Sequence, residues 1–385
     1  MRPRVTHEAD LPGVSGLDAE EPERFVTQGR LAEIGEQNML FSSSRRAVFV
    51  LNDTAAAIWR WLESGMSPSA MVAEFTSLGV EGQEGRRHVE AALEGWERLG
   101  LIRPVLRRAA TLNESQLRQR IAVFGHTFEI IYPAAVTHAA DVFRHLEAET
   151  EASGQVTYEM LEHRGRVHLY RDREFLSSCC HEEVPTVLKG EILTEIMEHA
   201  DYELALHGAS LLRGDRILLL CGAPGAGKTT LSLALLGAGF GFAGDDVMLL
   251  DAGGRGTGLP FAPAVKAGAW PLLSEVVPGL ASAPIYRRPD RRRVRYPLPR
   301  AVVAQDPRSV GWLVLLSRGD GPAALEPIDP ASAIQGVLDG AFALDGELTP
   351  VGFDALAHAI REAEIYRLTY SRLDEAVALL DEACR

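Results

Sequence analysis

The chain has 385 residues, a formal net charge of −14 and a hydrophobic content of 46%. That length gives two or three domains with room for a core in each, and the acidic balance excludes nonspecific attraction to nucleic acid or an anionic membrane. No apolar run approaches the ~20 residues of a membrane span. Cys179, Cys180, Cys221 and Cys384 fit neither a disulfide framework nor a metal-ligand spacing, so they read as reduced thiols of a cytoplasmic protein.

Residues 1–29 are polar and acidic with no apolar segment, and read as a flexible tail. "LAEIGEQNMLFSS" and "AVFVLN" predict two strands turning through Ser42 to Arg46. Asp53 is the expected N-cap of a helix in which Ala57, Ile58, Trp61 and Leu62 share a face. Ser67 and Pro68 open a second helix. Val89, Leu93, Trp96 and Leu99 give a third its apolar stripe, and Gly100 ends it. These elements define a small α+β domain over residues 30–106, followed by a charged linker at 107–118.

From residue 119 to 385 strands and helices alternate as in an α/β domain. Strands are expected in "IAVFGHTFEIIYP", "QVTYEML", "RVHLYRD", "FGFAGDDVMLLD", "GWLVLLS" and "EIYRLTYS". A helix begins near "LKGEILTEIMEH", a hairpin turns at Gly214-Asp215, and "RLDEAVALLDEAC" is a final helix.

Residues Gly222, Ala223, Pro224, Gly225, Ala226, Gly227, Lys228, Thr229 and Thr230 satisfy G-x4-G-K-[ST] between an apolar strand and a helix. Glycines let backbone N–H groups converge on phosphate oxygens, and the helix N-terminus adds partial positive charge. Lys228 then reaches the β/γ-phosphates of ATP, and the Thr229 hydroxyl is a ligand for Mg²⁺. One helix later come Asp245 and Asp246, adjacent carboxylates that need a cation or a proton to coexist. His207-Gly208 precedes the hairpin that feeds the loop. A structural histidine and a solvated acidic turn stay open as plainer readings of these residues.

In this order and spacing, His207-Gly208, Gly222 to Thr230 and Asp245-Asp246 resemble the HPr kinase family, related in its nucleotide-binding core to phosphoenolpyruvate carboxykinases. The resemblance implies a P-loop kinase fold and ATP/Mg²⁺-dependent phosphorylation of a hydroxyl, typically of serine. By motif, Lys228 and the loop hold the β-phosphate, Asp245 accepts the hydroxyl proton with help from His207, and Asp246 stands with Thr229 near the metal. The Glu-containing, glycine-rich signature of the bacterial HPr kinase/phosphorylases has no counterpart; "PFAPAVKAGAWPLL" occupies its place. In this respect the chain is similar to the shorter enzymes of peptide-modification clusters, including lasso-peptide kinases. Lys266 lies in that stretch as a candidate contact for phosphate or substrate.

"VFVLNDTAAAIWRWLESG" and "VEAALEGWERLGLI" resemble PqqD, the recognition element that binds leader peptides of ribosomally made natural products. The resemblance implies a winged-helix-like fold in which a leader adds as a strand along Val48 to Leu51, with the helix from Arg86 to Leu99 as its wall. A DNA-binding winged helix is the alternative, against which the recognition helix mixes Arg86, Arg87 and Arg98 with Glu90, Glu94 and Glu97. The basic stretch Arg287, Arg288, Arg291, Arg292, Arg293, Arg295 and Arg300 reads either as a solvated disordered loop or as a mobile loop closing over phosphates or an acidic peptide.

Together these expectations describe a kinase for a Ser or Thr of a ribosomal precursor peptide, with no nucleic-acid or membrane partner and with homo-oligomerisation left open. A kinase acting on a small molecule or a carboxylate, and a non-catalytic nucleotide-dependent peptide chaperone, are the alternatives.

Overall fold

The computed structural model describes residues 24–43, 46–105, 116–148, 156–299, 305–341 and 348–385. Its contacts divide the chain into Met1–Leu112 and Asn113–Arg385. Most of the expected tail, most of the linker and Arg300 lie outside the described residues.

In the first unit the stretch expected as one strand is a hairpin, Arg30–Ile34 and Gln37–Ser42, with Gly35 in the left-handed region at the turn. Ala47–Leu51 pairs antiparallel with Gln37–Ser42 and forms one edge of this three-stranded sheet. Phe25–Thr27, placed in the tail by sequence, instead pairs with Ile102–Pro104. The N-cap of the first helix, Asp53–Glu63, is Asn52, whose side chain accepts from the Ala55 N–H at 2.8 Å; Asp53 occupies the first turn, where its charge suits the helix dipole. Trp59 rather than Trp61 is fully inward, edge-on to Trp96 with ring centroids 5.0 Å apart. Helices Pro68–Ser77 and Gly82–Arg98 close over the core, which gathers Leu40, Ile58, Met71, Val89, Leu93 and Leu101.

The second unit is built on a six-stranded mixed sheet in the order Gly241–Gly244, Ala209–Arg213, Arg216–Cys221, Val310–Arg318, Glu364–Tyr370, Ala324–Pro327. Its central strands run parallel and are apolar on both faces, as strands covered on both sides must be. Leu218 and Leu220 pack with Leu231, Leu235, Ala376 and Leu380 of helices Lys228–Gly237 and Leu373–Ala383. Ile217, Leu219 and Cys221 meet Ala333, Val337, Ala355 and Leu356 of helices Pro330–Ala341 and Pro350–Glu362.

A five-stranded sheet precedes this layer. Leu117–Val123 and His126–Tyr132 form a hairpin at Phe124-Gly125 where the sequence predicts one strand, so two residues of the expected linker are sheet. Helix Val184–His199 packs on it through Val184, Leu188, Ile192 and Ile196. Among the described residues no helix is long and apolar enough to cross a membrane.

Because Trp59 is 0% exposed and anchors the first core, Trp59→Ala should cost that unit about 3–5 kcal/mol. Denaturant-dependent hydrogen exchange of the full chain should show the loss in peptides of Met1–Leu112.

Candidate functional site

The glycine loop leaves strand Arg216–Cys221 at the carboxyl end of the parallel strands and enters helix Lys228–Gly237 directly. This is where open α/β sheets place their ligands. Gly222, Gly225 and Gly227 all take positive φ, at 147°, 92° and 105°. A Cβ on Gly227 would collide with the Tyr370 hydroxyl and the Arg318 guanidinium, so that position must be glycine. The ends of the two neighbouring strands supply both groups. Tyr370 donates to the Ala226 carbonyl at 3.1 Å, and Arg318 lies 4.4 Å over the Tyr370 ring. Ala223, Pro224 and Gly225 form the exposed rim, Ala226 is buried, and Thr230 is half-buried on the first helical turn. No side chain caps that helix, so its first N–H groups are open to an anion. Lys228 folds back over the loop and donates to the Gly222 carbonyl at 2.6 Å.

The strand expected through "FGFAGDDVMLLD" is broken at its acidic pair. Gly241–Gly244 belongs to the six-stranded sheet and Met248–Leu250 to a three-stranded sheet with Leu204–Leu206 and Gly256–Gly258. The chain passes between sheets at Asp246, whose φ of 79° is rare for a non-glycine residue. This kink sends the two carboxylates to different partners. Asp245, 2% exposed, accepts from the Thr229 hydroxyl at 3.2 and 3.1 Å. Asp246 accepts from Lys189 Nζ at 2.5 Å.

Lys189 escaped the sequence reading. It lies on helix Val184–His199, is 8% exposed, and has its ammonium 5.6 Å from the centre of the Phe261 ring. The signal was a lone lysine between the core residues Leu188 and Ile192, a cation no helix buries without a counter-charge. Burial alone would neutralise Lys189, but the Asp246 charge overrides it and holds the amine above its ordinary range. Burial likewise opposes the Asp246 charge, and Lys189 overrides that to hold Asp246 below the usual carboxylate range. Asp245 has no such partner. Burial, then the charge of Asp246, pushes it up to about 7.

His207 follows strand Leu204–Leu206 and is half-buried. Burial and the Lys228 charge hold it below its ordinary range, against a hydrogen bond to the Asp246 backbone. Lys228 is itself lowered by burial, with both aspartates opposing. The charge of Lys266 also lowers His207 and Lys228, and that of Arg288 lowers Asp246. All the sequence-predicted residues from His207 to Asp246 therefore converge on one end of the sheet. Thr229 and Asp245 are hard oxygen donors in contact, a set suited to Mg²⁺.

The basic stretch is not a disordered loop. Tyr286–Arg287 and Arg293–Arg295 form a hairpin and Val265–Lys266 pairs with its second strand. Pro289-Asp290 makes the turn, closed by the Arg291 N–H donating to the Arg288 carbonyl at 2.8 Å. Arg295 stacks 4.3 Å from the Trp270 ring.

In the first unit the edge strand carries an exposed apolar stripe. Val48 and Val50 are 57% and 63% exposed and stand opposite Phe41 and Met39. The family described as Coenzyme PQQ synthesis protein D (PqqD) matches residues 37–102, so this stretch is a PqqD domain. No curated protein matches the chain.

The Asp245 carboxyl has a folded-state pKa above its unfolded value, so its contribution to stability is present at low pH and lost as pH rises through about 7. Asp245→Asn removes that penalty. At pH 8 the variant should melt at least ~2 °C above the parent protein, and the gap should narrow as pH falls below about 7 and close only at about pH 4, the ordinary carboxyl range. Differential scanning fluorimetry without divalent cations measures it.

Proposed function

We propose that this protein transfers the γ-phosphoryl group of ATP to a Ser or Thr hydroxyl of a ribosomally made precursor peptide, whose leader is captured by the PqqD domain. The observation that carries the reading is the sequence of contacts at the loop. A P-loop helix begins with a hydroxyl bonded to a buried carboxylate, and the next carboxylate is held by a buried lysine.

In this reading Lys228 and the open N–H groups hold the phosphates, and Thr229 with Asp245 holds Mg²⁺. The cation supplies neutralisation of phosphate charge. The raised Asp245 suits this role, because a bound cation relieves the burial that now favours its proton. Asp246, fixed by Lys189 and beside His207, orients the acceptor hydroxyl and receives its proton as the oxygen bonds to phosphorus and ADP leaves. The contact of Thr229 with Asp245 thus favours the opposite division of the two aspartates from the one the HPr kinase resemblance implies.

For the leader, the PqqD match and the exposed edge Ala47–Leu51 support capture by strand addition. Backbone bonds give affinity, and the stripe of Phe41, Val48 and Val50 gives register.

Lys228→Ala should abolish phosphate transfer at saturating peptide, since Lys228 is the ammonium that folds back onto the loop's own carbonyl. Asp246→Asn should retain Mg²⁺–nucleotide binding and lower transfer by about 10²-fold or more. Isothermal titration and a radiolabelled transfer assay separate the two effects. Nucleotide and peptide binding with no transfer to any Ser or Thr would favour the chaperone alternative.

Val50→Asp should weaken leader binding by the full chain at least ~10-fold, and a proline in the paired leader segment should do the same by removing a ladder donor. Fluorescence anisotropy with labelled precursor measures both. Undetectable leader binding by the parent protein would sink the capture reading and leave the kinase reading untouched.

A further inference from the structure

The arginine hairpin borders a cavity of about 490 Å³ lined by Glu182, Ile285, Tyr286, Arg287, Arg291 and Arg293. The volume is that of an ordinary ligand site. Arg287 is ion-paired with Glu182. Asp290, the hairpin's own acid, is shared by Arg288 at 3.6 Å and Arg292 at 3.7 Å. Arg291 and Arg293 have no carboxylate partner within the described residues. The cavity therefore presents two uncompensated guanidinium groups in a chain whose net charge is −14.

The cavity is coupled to the acid pair by one helix. Thr186 donates to the Arg287 carbonyl at 3.2 Å and lies 2.7 Å from the Tyr296 hydroxyl, so the start of helix Val184–His199 is fastened to the hairpin. Lys189 on the same helix holds Asp246.

We propose that this cavity takes a carboxylate side chain of the acceptor peptide and sets which hydroxyl reaches Asp246. The inference rests on the kinase reading for its outcome, not for its binding step. Guanidinium forks bind carboxylates in two-point geometry, and Ile285 and Tyr286 give an apolar wall for the methylenes of a Glu. Glu182 stands in the lining and disfavours a doubly charged phosphate more than a singly charged carboxylate. Phosphate also has its own place at the glycine loop. An extended peptide covers ~3.3 Å per residue, so one fixed spacing between the acid and the phosphorylated hydroxyl should be preferred.

The probes are short fluorescein-labelled Gly/Ala peptides with one Ser and one Glu pair, the spacing between them varied, and matched peptides with Gln or Lys in place of Glu. Against the full chain, anisotropy should show the Glu peptides binding at least ~10-fold tighter than the Gln peptides, and transfer should peak at one spacing and fall on either side of it. Arg291→Glu with Arg293→Glu should reverse the preference toward the Lys peptides. Both side chains are exposed, and the peptide series on the unaltered protein gives the same test without any variant. Equal binding of Glu and Gln peptides would overturn the proposal. Displacement of the Glu peptides by inorganic phosphate at constant ionic strength would also overturn it, by making the cavity a phosphate site. Glu-selective binding with no transfer to any peptide would uphold the cavity and count against the kinase reading. Transfer indifferent to Glu would do the reverse.

Discussion

Two carboxylates joined by a single peptide bond cannot both be buried and charged without a counter-charge. Asp245 and Asp246 meet that constraint by being separated. The left-handed kink at Asp246 sends one side chain toward the glycine loop and the other toward helix Val184–His199. The same kink moves the chain from the six-stranded sheet into the three-stranded one. Lys189 then settles the charge on Asp246, while among the described residues Asp245 keeps the Thr229 hydroxyl as its donor and a raised affinity for a proton or a cation. Loop, helix and both sheets meet at this one pair.

The parts of the site legible in sequence were those whose chemistry is local. Gly222 to Thr230 requires positive φ and an uncapped helix start within a few residues, and the glycines announce it. Ser67 and Pro68 announce a helix start in the same way. What sequence missed acts over distance. Lys189 comes 57 positions before its partner Asp246, and Tyr370 comes 144 positions after the carbonyl it holds. No periodicity encodes such pairs. Strand breaks were missed for another reason. "LAEIGEQNMLF" and "IAVFGHTFEII" have strand-forming residues on both sides of a turn, and apolar content outweighed the single glycine that marks each hairpin. The arginine stretch misled through composition, since Pro289-Asp290 defines a turn and Trp270 gives Arg293 and Arg295 a surface to lie on.

The whole-chain charge describes the site poorly. Lys189, Lys228, Lys266, Arg288 and Arg318 gather round the loop and acid pair of a protein with net charge −14. Most of the acidic surplus therefore lies elsewhere in the chain. An anion approaching this end of the sheet meets a positive field only at short range, because at physiological salt the field decays over ~8 Å. Such a site selects among ligands already close to it and does little to attract them from bulk.

That short range gives the PqqD domain its part in the proposed reaction. A carboxylate held by two exposed arginines is a weak contact, and taken alone it would leave the acceptor peptide mostly unbound. A leader paired along Ala47–Leu51 holds the rest of the same peptide at an effective concentration in the millimolar range for a flexible tether. In that proposal, weak contacts at the arginine cavity would suffice to choose the register in which a hydroxyl meets Asp246. Affinity and selectivity can thus be supplied by different units, one through backbone hydrogen bonds that ignore most side chains, the other through charge that reads a single position.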